Sequence, residues 1–411
     1  MMEDNTLFVD AGRESIERFQ GDIAVITSDE FEAAHGEKLA QALNLDTWIP
    51  GANLVEMYNR LETEVAEAIR KEGEYQKLIR REIFPRLRTR PDAPPGAGVF
   101  KVNLDRLQEV HQQLLFNGAV EASDGTVVSH DTLPVTITQI GVCLVSYNGD
   151  QGTWVHRIFR RDLRTAPGMN PVDELMELLD RRRDRGAEDQ PSPRDRFSSL
   201  ARRGIMAYAE RAVLLDRSDA EWRMGHGNPT PYELVTGSGL LDLLRASLAL
   251  LTRLVEHRRF VYVQSTTSAR ELLTIGNALN PLEYAIVDTN KPFLQRVAGG
   301  HYRGQGWEGI KKELDRFIDE CGPKIITGMY RASRQSPAQV FYAHVDFAHE
   351  AALIALADSV LQEHRGFPML IDLADDLCRN MFGAEVFAAS TLLAYAAAGE
   401  PYRYFSERKT R

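Results

Sequence analysis

The stretches GAVEASDGTVV, residues 118–128, and PVTITQIGVCLVSYNGDQGTWVHRIFRRDL, residues 134–163, decide the fold. Apolar residues alternate with polar ones on both sides of NGDQG at 148–152, a pattern typical of antiparallel strands joined by a tight turn. Asp124-Gly125 is a common turn dipeptide, and it predicts a turn that ends a first strand. A sheet therefore begins near Asn117.

Downstream of this sheet, the pattern alternates between strand and helix. Strands are predicted at FVYVQS (260–265), EYAIVDT (283–289) and QVFYAHVDF (339–347), with helices between and after them. Strands separated by helices imply a layered α/β sheet.

Upstream of the sheet, the chain has a helical pattern. NLVEMYNRLETEVAEAIRKEGEYQKLIRREIF, residues 53–84, carries apolar residues at steps of three and four, which predicts one long amphipathic helix. We expect an N-terminal helical region over 1–116 and a core over 117–411. The polar run RRRDRGAEDQPSPRDR, residues 181–196, predicts an exposed insertion within that core.

Charge and cysteine content restrict the partners and the compartment. The 49 basic and 59 acidic residues leave a formal charge of −10, which argues against a protein that coats nucleic acid through a general basic surface. Three widely spaced cysteines form neither a CxxC pair nor a zinc cluster, and they favour a reducing cytoplasm. The acidic N-terminus is unlike a signal peptide, and the most apolar helix, 239–255, is too polar for a membrane span.

Two acids are candidates for chemistry in the first half of the core. Asp124 stands at a predicted strand end, where a carboxylate can face a ligand crevice, although a simple Asp-Gly turn also explains it. Glu210 borders the apolar stripe of its helix and could point toward the sheet. It could equally be solvated, or pair with Arg203 or Arg211.

Two further groups lie later in the chain. The loop GHGNPTPYELVTGSG, 225–239, surrounds His226 and Glu233 with glycines and prolines, yet Glu233 could simply begin a helix. The last group follows Pro368 at a helix start, where acids also complement the helix macrodipole. Its members are Asp372, Asp375 and Asp376.

Considered together, these acids suit a hard cation. Carboxylates from a strand, a helix and a later helix start are ligands that Mg²⁺ or Mn²⁺ prefers. Such ions activate water and stabilise the leaving oxygen in phosphodiester cleavage. A cluster of arginines in WVHRIFRRDLR could hold a DNA backbone, or could form a basic strand edge that deters aggregation. Its members are Arg157, Arg160, Arg161 and Arg164.

From Asn117 to the C-terminus, the chain resembles the NurA nucleases. The resemblance rests on DGT at Asp124, the helix with Glu210, EYAIVDTNKPF with Asp288, and the segment HVDFAHEAALIALADSVLQEHRGFPMLIDLADDLC at 344–378. That last segment retains the family's glycine and proline, and its first acid matches the family's acid after a valine. The residues are Gly366, Pro368 and Asp346.

Three positions depart from the family pattern. Phe367 replaces a tyrosine and has no hydroxyl, and Asp375 replaces a histidine but can still bind a metal or position a water. His226-Gly227 stands where the family has a second Asp-Gly. Either His226 or the nearby Glu233 then takes the ligand role, or the site is degenerate.

The resemblance implies an RNase H-like mixed-sheet core flanked by helices, acting as a Mn²⁺- or Mg²⁺-dependent DNA nuclease. Asp124, Glu210 and Asp375 are then catalytic, and His226 or Glu233 completes the metal site with the first two. It further implies a homodimer that works with a HerA-like hexameric ATPase in DNA repair or antiviral defence. The alternatives are a catalytically degenerate adaptor subunit on a HerA-like ring and a phosphoesterase acting on small nucleotides.

Overall fold

The fold is described from a computed structural model. It covers residues 27–48, 51, 53–132, 135–161, 170, 172–173, 175–176, 179, 193–265, 267, 269–301 and 308–402. The predicted insertion at 181–196 lies outside the described residues, except for its last four, which open a helix at Pro193. The division of the chain into two regions at 117 stays a prediction.

The described part of the N-terminal region is mostly helical, as predicted. Its helices are α1 (Ser28–His35), α2 (Leu39–Ala42), α3 (Leu54–Glu82) and α4 (Leu104–Val110), which continues into a π-helical turn at His111–Leu115. The predicted long helix is α3, whose N-cap Asn53 accepts a hydrogen bond from the backbone of Glu56. The region also contributes a strand, β1 (Gly98–Lys101), to the edge of the sheet.

The core begins with a three-stranded antiparallel meander. Its strands are β2 (Val120–Thr132), β3 (Val135–Ser146) and β4 (Gly149–Arg161). The predicted turn at Asp124-Gly125 is wrong, because β2 runs straight through it, with Asp124 opposite Cys143. Turn propensity is a local preference, and here the ladder to β3, from Ala122 to Thr132, outweighs it.

Two parallel strands complete a five-stranded unit. β5 (Trp222–His226) pairs parallel with β2, and β6 (Phe260–Gln264) pairs parallel with β5. The resulting order is β4-β3-β2-β5-β6, in which only β3 is reversed. This is the arrangement of an RNase H-like core, so the predicted fold class is confirmed.

The sheet continues beyond β6 to nine strands among the described residues. β7 (Glu283–Thr289), β8 (Ile325–Arg331) and β9 (Gln339–His344) extend it antiparallel, in the full order β1-β7-β8-β9-β6-β5-β2-β3-β4. β7 coincides with the predicted strand EYAIVDT. Four strands therefore separate β7 from β2.

Helices cover both faces of the sheet. α5 (Pro193–Asp216), α6 (Tyr232–Val235), α7 (Leu241–His257), α8 (Arg270–Asn277), α9 (Lys291–His301) and α10 (Glu308–Cys321) precede β8. α11 (Ala348–Ser359), α12 (Met369–Phe382) and α13 (Ala384–Ala397) follow β9. None of the described helices is both long and apolar enough to cross a membrane.

The alternation of side chains along β6 separates two hydrophobic cores. Tyr262 packs into the core that contains residues of α5 and α7, whereas Val261 and Val263 pack into the core that contains residues of α11 and α12. α5 and α12 therefore approach the meander from opposite faces, and both contact β2 and β3.

Candidate active site

Asp124 lies on β2 where the strand loses its parallel neighbour. Pairing between β2 and β5 ends at Ser123 and Gly225, so among the described residues β2 has an open edge from Asp124 onward. Asp124 is buried, and its Oδ1 accepts a hydrogen bond of 2.9 Å from the backbone of Gly125. Its cross-strand neighbour Cys143 packs against α12. The Asp124 side chain therefore lies on the α12 face of β2.

Glu210 reaches the same place from the opposite face. Its carbonyl accepts a hydrogen bond of 3.1 Å from Ser123 Oγ, which ties α5 to β2. A Cβ on Gly125 would lie only 2.6 Å from Glu210 Oε1, so the absence of a side chain lets the carboxylate lie against the strand. Gly125 is therefore required by a close approach within a strand, and not by a turn.

The Glu210 carboxyl is buried close to a second carboxylate. Burial and the charge of Asp124 raise the pKa of Glu210 to about 7, although Arg211 and His226 act in the opposite direction. The alternative of a solvated side chain is wrong, because Glu210 is only 9% exposed. The predicted ion pair with Arg211 does form, since Arg211 Nη1 lies 3.3 Å from Glu210 Oε2.

His226 ends β5 beside these acids. Its Nδ1 lies 3.7 Å from Asp124 Oδ2, and its ring meets the Phe367 ring edge-on at 5.4 Å between centroids. Burial alone would lower the pKa of His226. The carboxylates of Asp124, Glu210 and Asp375 outweigh burial, so the pKa is raised above its ordinary value.

Asp375 comes from α12 and completes the group. Burial and the charge of Asp124 raise its pKa, while Arg379 and His226 oppose them. Arg379 Nη2 lies 2.6 Å from Asp375 Oδ2, one helical turn away. The structure thus brings together four of the predicted site residues, from β2, α5, β5 and α12.

Other acids of the sequence lie elsewhere. Glu233 on α6 faces Arg203, whose Nε is 3.8 Å from Glu233 Oε1. Asp288 on β7 pairs with Arg90 at 2.7 Å, and four strands lie between β7 and β2. Of the two residues considered for the fourth ligand, His226 is therefore the one that lies beside Asp124. Asp346 and Asp372 also pair with arginines outside the group.

The predicted DNA-binding arginines are only partly described. Arg157 is exposed on the edge strand β4, and its Nε donates a 2.9 Å hydrogen bond to Gln139 Oε1. Arg160 and Arg161 end β4, but their side chains lie outside the described residues, as does Arg164. A role in holding the DNA backbone stays a prediction for all four.

The side chains of Asp124, Glu210, His226 and Asp375 are of types that bind a hard divalent cation, but they do not form a ready-made binding group. In the described part of the chain, no group of three or more His, Cys, Asp or Glu side chains could hold a metal ion as it stands. Three carboxylates and an imidazole are nevertheless suitable ligands for Mn²⁺ or Mg²⁺. Burial, and after it the charge of Asp124, raises the pKa of Glu210, so a cation beside its carboxyl would favour the charged form. These side chains would therefore have to move before they could hold such an ion together.

Two functional neighbours were not recognised from the sequence. The dipeptide preference predicts a turn at Gly125, although a glycine within an alternating pattern also signals a close backbone approach. The helical spacing suggests Arg211 only as an ion-pair partner, although in AYAERAVLLD apolar residues stand on both sides of the Glu-Arg pair. A buried arginine in such a setting needs several acceptors, which only the folded chain reveals.

Comparisons with known proteins give a likeness of fold. No family model matches the chain, and no curated protein does either. The NurA nuclease structure from Sulfolobus solfataricus is similar over 82% of this chain and 97% of its own, with 11% identity and a TM-score of 0.43. A structure of NurA with manganese is similar over 82% and 98%, with 9% identity and a TM-score of 0.39.

A more distant likeness is to Ciona intestinalis endonuclease V in complex with inosine-containing DNA. It covers 64% of this chain and 84% of that one, with 10% identity and a TM-score of 0.25. At these identities and scores the likeness concerns the fold and assigns no residue a role.

Proposed function

We propose that this protein is a divalent-metal-dependent nuclease that hydrolyses phosphodiester bonds in DNA. The observation that carries the proposal is the meeting of Asp124, Glu210, His226 and Asp375, from four separate elements, at the open edge of β2. Burial, like charges and an adjacent imidazole perturb the pKa values there, as is common at catalytic sites.

Each residue has a distinct part in the proposed reaction. Mn²⁺ or Mg²⁺, when bound, supplies an activated water and charge stabilisation at the leaving oxygen. Asp124 and Glu210, which approach from opposite faces of β2, would hold the ion, and His226 beside Asp124 would be the additional donor. Asp375 orients the reacting water from α12, while Arg379 restrains its carboxylate at 2.6 Å.

The partners follow from charge and from the resemblance. A formal charge of −10 supports weak DNA affinity by the isolated chain, with local contacts from arginines such as Arg157 on β4. A homodimer, a HerA-like hexameric ATPase that delivers DNA, a cytoplasmic location and a role in repair or defence rest on the resemblance and on cysteine usage.

The test is a cleavage assay on linear duplex and single-stranded DNA with Mn²⁺, Mg²⁺ or EDTA. We expect cleavage with the metals, none with EDTA, and a loss of at least about a hundredfold in Asp124→Asn. Asp288→Asn is the matched control, because Asp288 lies near the end of the distant strand β7, in an ion pair with Arg90. Equal cleavage by Asp124→Asn and the wild type, or no metal-dependent cleavage by the wild type, contradicts the proposal.

A second candidate is a non-catalytic adaptor on a HerA-like ring. It is favoured by the lack of a gathered metal cluster among the described residues and by Phe367, which has no hydroxyl beside His226. Calorimetric titration with Mn²⁺ separates the two. No uptake of Mn²⁺, together with stable co-purification with a HerA-like ATPase, favours the adaptor.

A further inference from the structure

Arg211 is buried directly beside the proposed site. It is 2% exposed, and its guanidinium donates four hydrogen bonds. Nη2 donates to Asn228 O at 2.6 Å, Nε to Pro229 O at 2.8 Å, and Nη1 to Ala207 O at 2.8 Å and to Glu210 Oε2 at 3.3 Å. One planar group thus contacts its own helix, the Glu210 carboxylate and the loop after β5.

Charge balance does not explain this arrangement by itself. A guanidinium that served only to neutralise Glu210 would direct two parallel N–H groups at the carboxylate. Here the two short bonds outside the helix go to the backbone of Asn228 and Pro229, and Glu210 receives only the longest one. The geometry therefore links the carboxylate to the loop.

The loop that Arg211 holds directly follows His226, the last residue of β5. Gly227 adopts a positive φ of 80°, and the chain then turns back toward α5. On the other side of the loop, the buried Asn290 donates to Thr230 Oγ1 at 2.6 Å and to Asn228 Oδ1 at 3.2 Å. The backbone after His226 is thus fixed from two sides, by Arg211 and by Asn290.

The Arg211 guanidinium also packs against the ring of Tyr262 on β6. It lies 5.2 Å from the centroid of the Tyr262 ring, a cation–π contact in a buried setting. A Cβ on Gly225, the residue before His226, would lie 2.3 Å from Tyr262 Cε1. The Tyr262 ring therefore packs against both the Arg211 guanidinium and the end of β5.

We infer that Arg211 is a positioning residue that sets the placement of the Glu210 carboxylate relative to His226, by holding the loop that directly follows His226. The inference rests on the proposed nuclease function, for which these two groups must act on the same phosphodiester. Lysine cannot replace arginine in this role, because an ammonium has only three N–H donors and lacks the planar arrangement by which the guanidinium donates to four acceptors at once.

The test is Arg211→Lys, which keeps the charge and removes the planar arrangement of donors. We expect kcat for Mn²⁺-dependent DNA cleavage to fall about a hundredfold, as for a displacement of about 1 Å, with KM changed less than about twofold. Amide exchange at Gly227, Asn228 and Thr230 should accelerate at least tenfold. Arg253→Lys is the matched control, since Arg253 forms an exposed ion pair with Asp216, and it should leave both readouts unchanged.

Amide exchange is measured without metal or DNA, so it separates the two proposals. If the wild type does not cleave DNA, the proposed function fails, whereas faster exchange in Arg211→Lys still supports the link to the loop. Wild-type exchange in a folded Arg211→Lys overturns the inference, as does a wild-type kcat.

Asn290→Ala provides a second variant in case Arg211→Lys does not fold. It removes the other restraint on the loop and leaves the contact between Arg211 and Glu210 intact. We expect faster exchange at the same amides and about a tenfold lower kcat. Unchanged exchange and unchanged kcat in this variant overturn the proposed link between loop position and turnover.

Discussion

Gly125→Ala tests the contact between β2 and the Glu210 carboxylate. Gly125 has no positive φ, so its backbone accepts alanine without strain. The new Cβ would lie 2.6 Å from Glu210 Oε1, 3.1 Å from Glu210 Cγ and 3.0 Å from Met206 Cγ. Ordinary contact begins at 3.4 Å, so the carboxylate must retreat by 3.4 − 2.6, about 0.8 Å.

The expected effect on turnover exceeds the effect on stability. A displacement of nearly 1 Å at a catalytic group lowers the rate about a hundredfold, which corresponds to about 2.7 kcal/mol in the barrier. Overpacking a core costs about 1–3 kcal/mol in the free energy of unfolding. We expect the lower end of that range, because the nearest atom ends a flexible side chain.

The assay compares kcat for Mn²⁺-dependent DNA cleavage with the midpoint of urea unfolding. Gly309→Ala is the matched control, because a Cβ there meets nothing within 4 Å, and it should retain the wild-type kcat. Wild-type turnover by a folded Gly125→Ala would refute the reasoning, since it would show that the placement of Glu210 against the strand does not matter.

Three further variants test other parts of the structure. Glu233→Gln should keep kcat within about twofold, because Glu233 faces Arg203 outside the proposed site. A tenfold loss of kcat would contradict this and would indicate that Glu233 is a metal ligand. Gly141→Ala places a Cβ 2.2 Å from the Phe382 ring, so it should lower the free energy of unfolding by about 1–3 kcal/mol, and an unchanged urea midpoint contradicts this. Asp358→Asn should change the pH dependence of stability, because burial raises the pKa of Asp358 to about 6. The folded state then keeps this proton to higher pH than the unfolded state, so the contribution of Asp358 to stability is greatest below about pH 4 and declines by about 3 kcal/mol as the pH rises through about 6. The variant should lack that decline in urea unfolding at pH 4–7, and the same slope in both proteins contradicts the assignment.

Much of the secondary structure follows from local pattern. EYAIVDT became β7, and the alternation around NGDQG became β3 and β4, because period-two burial specifies one face of a strand. The long helix over 54–82 also followed from its apolar period. The turn predicted at Asp124-Gly125 failed, because pairing along β3 overrode a dipeptide preference.

The site was only partly predictable. Asp124, Glu210 and Asp375 are residue types suited to metal chemistry, and the resemblance to the NurA nucleases implies that they are catalytic. The choice between His226 and Glu233 stayed open, because both lie in one loop rich in glycine and proline. The structure places His226 beside Asp124, since β5 pairs with β2 and ends at that residue, whereas α6 directs Glu233 toward Arg203.

The sequence by itself determined the α/β pattern, the net charge and a set of acids compatible with a metal nuclease. Only the tertiary structure decided that Gly125 makes room for Glu210 and that Arg211 joins α5 to the loop after His226. The physical reason is separation along the chain. Local periodicity selects the buried face of each element, but strand order and helix packing decide which residues come within hydrogen-bonding distance, as they do for Ser123 and Glu210, 87 positions apart.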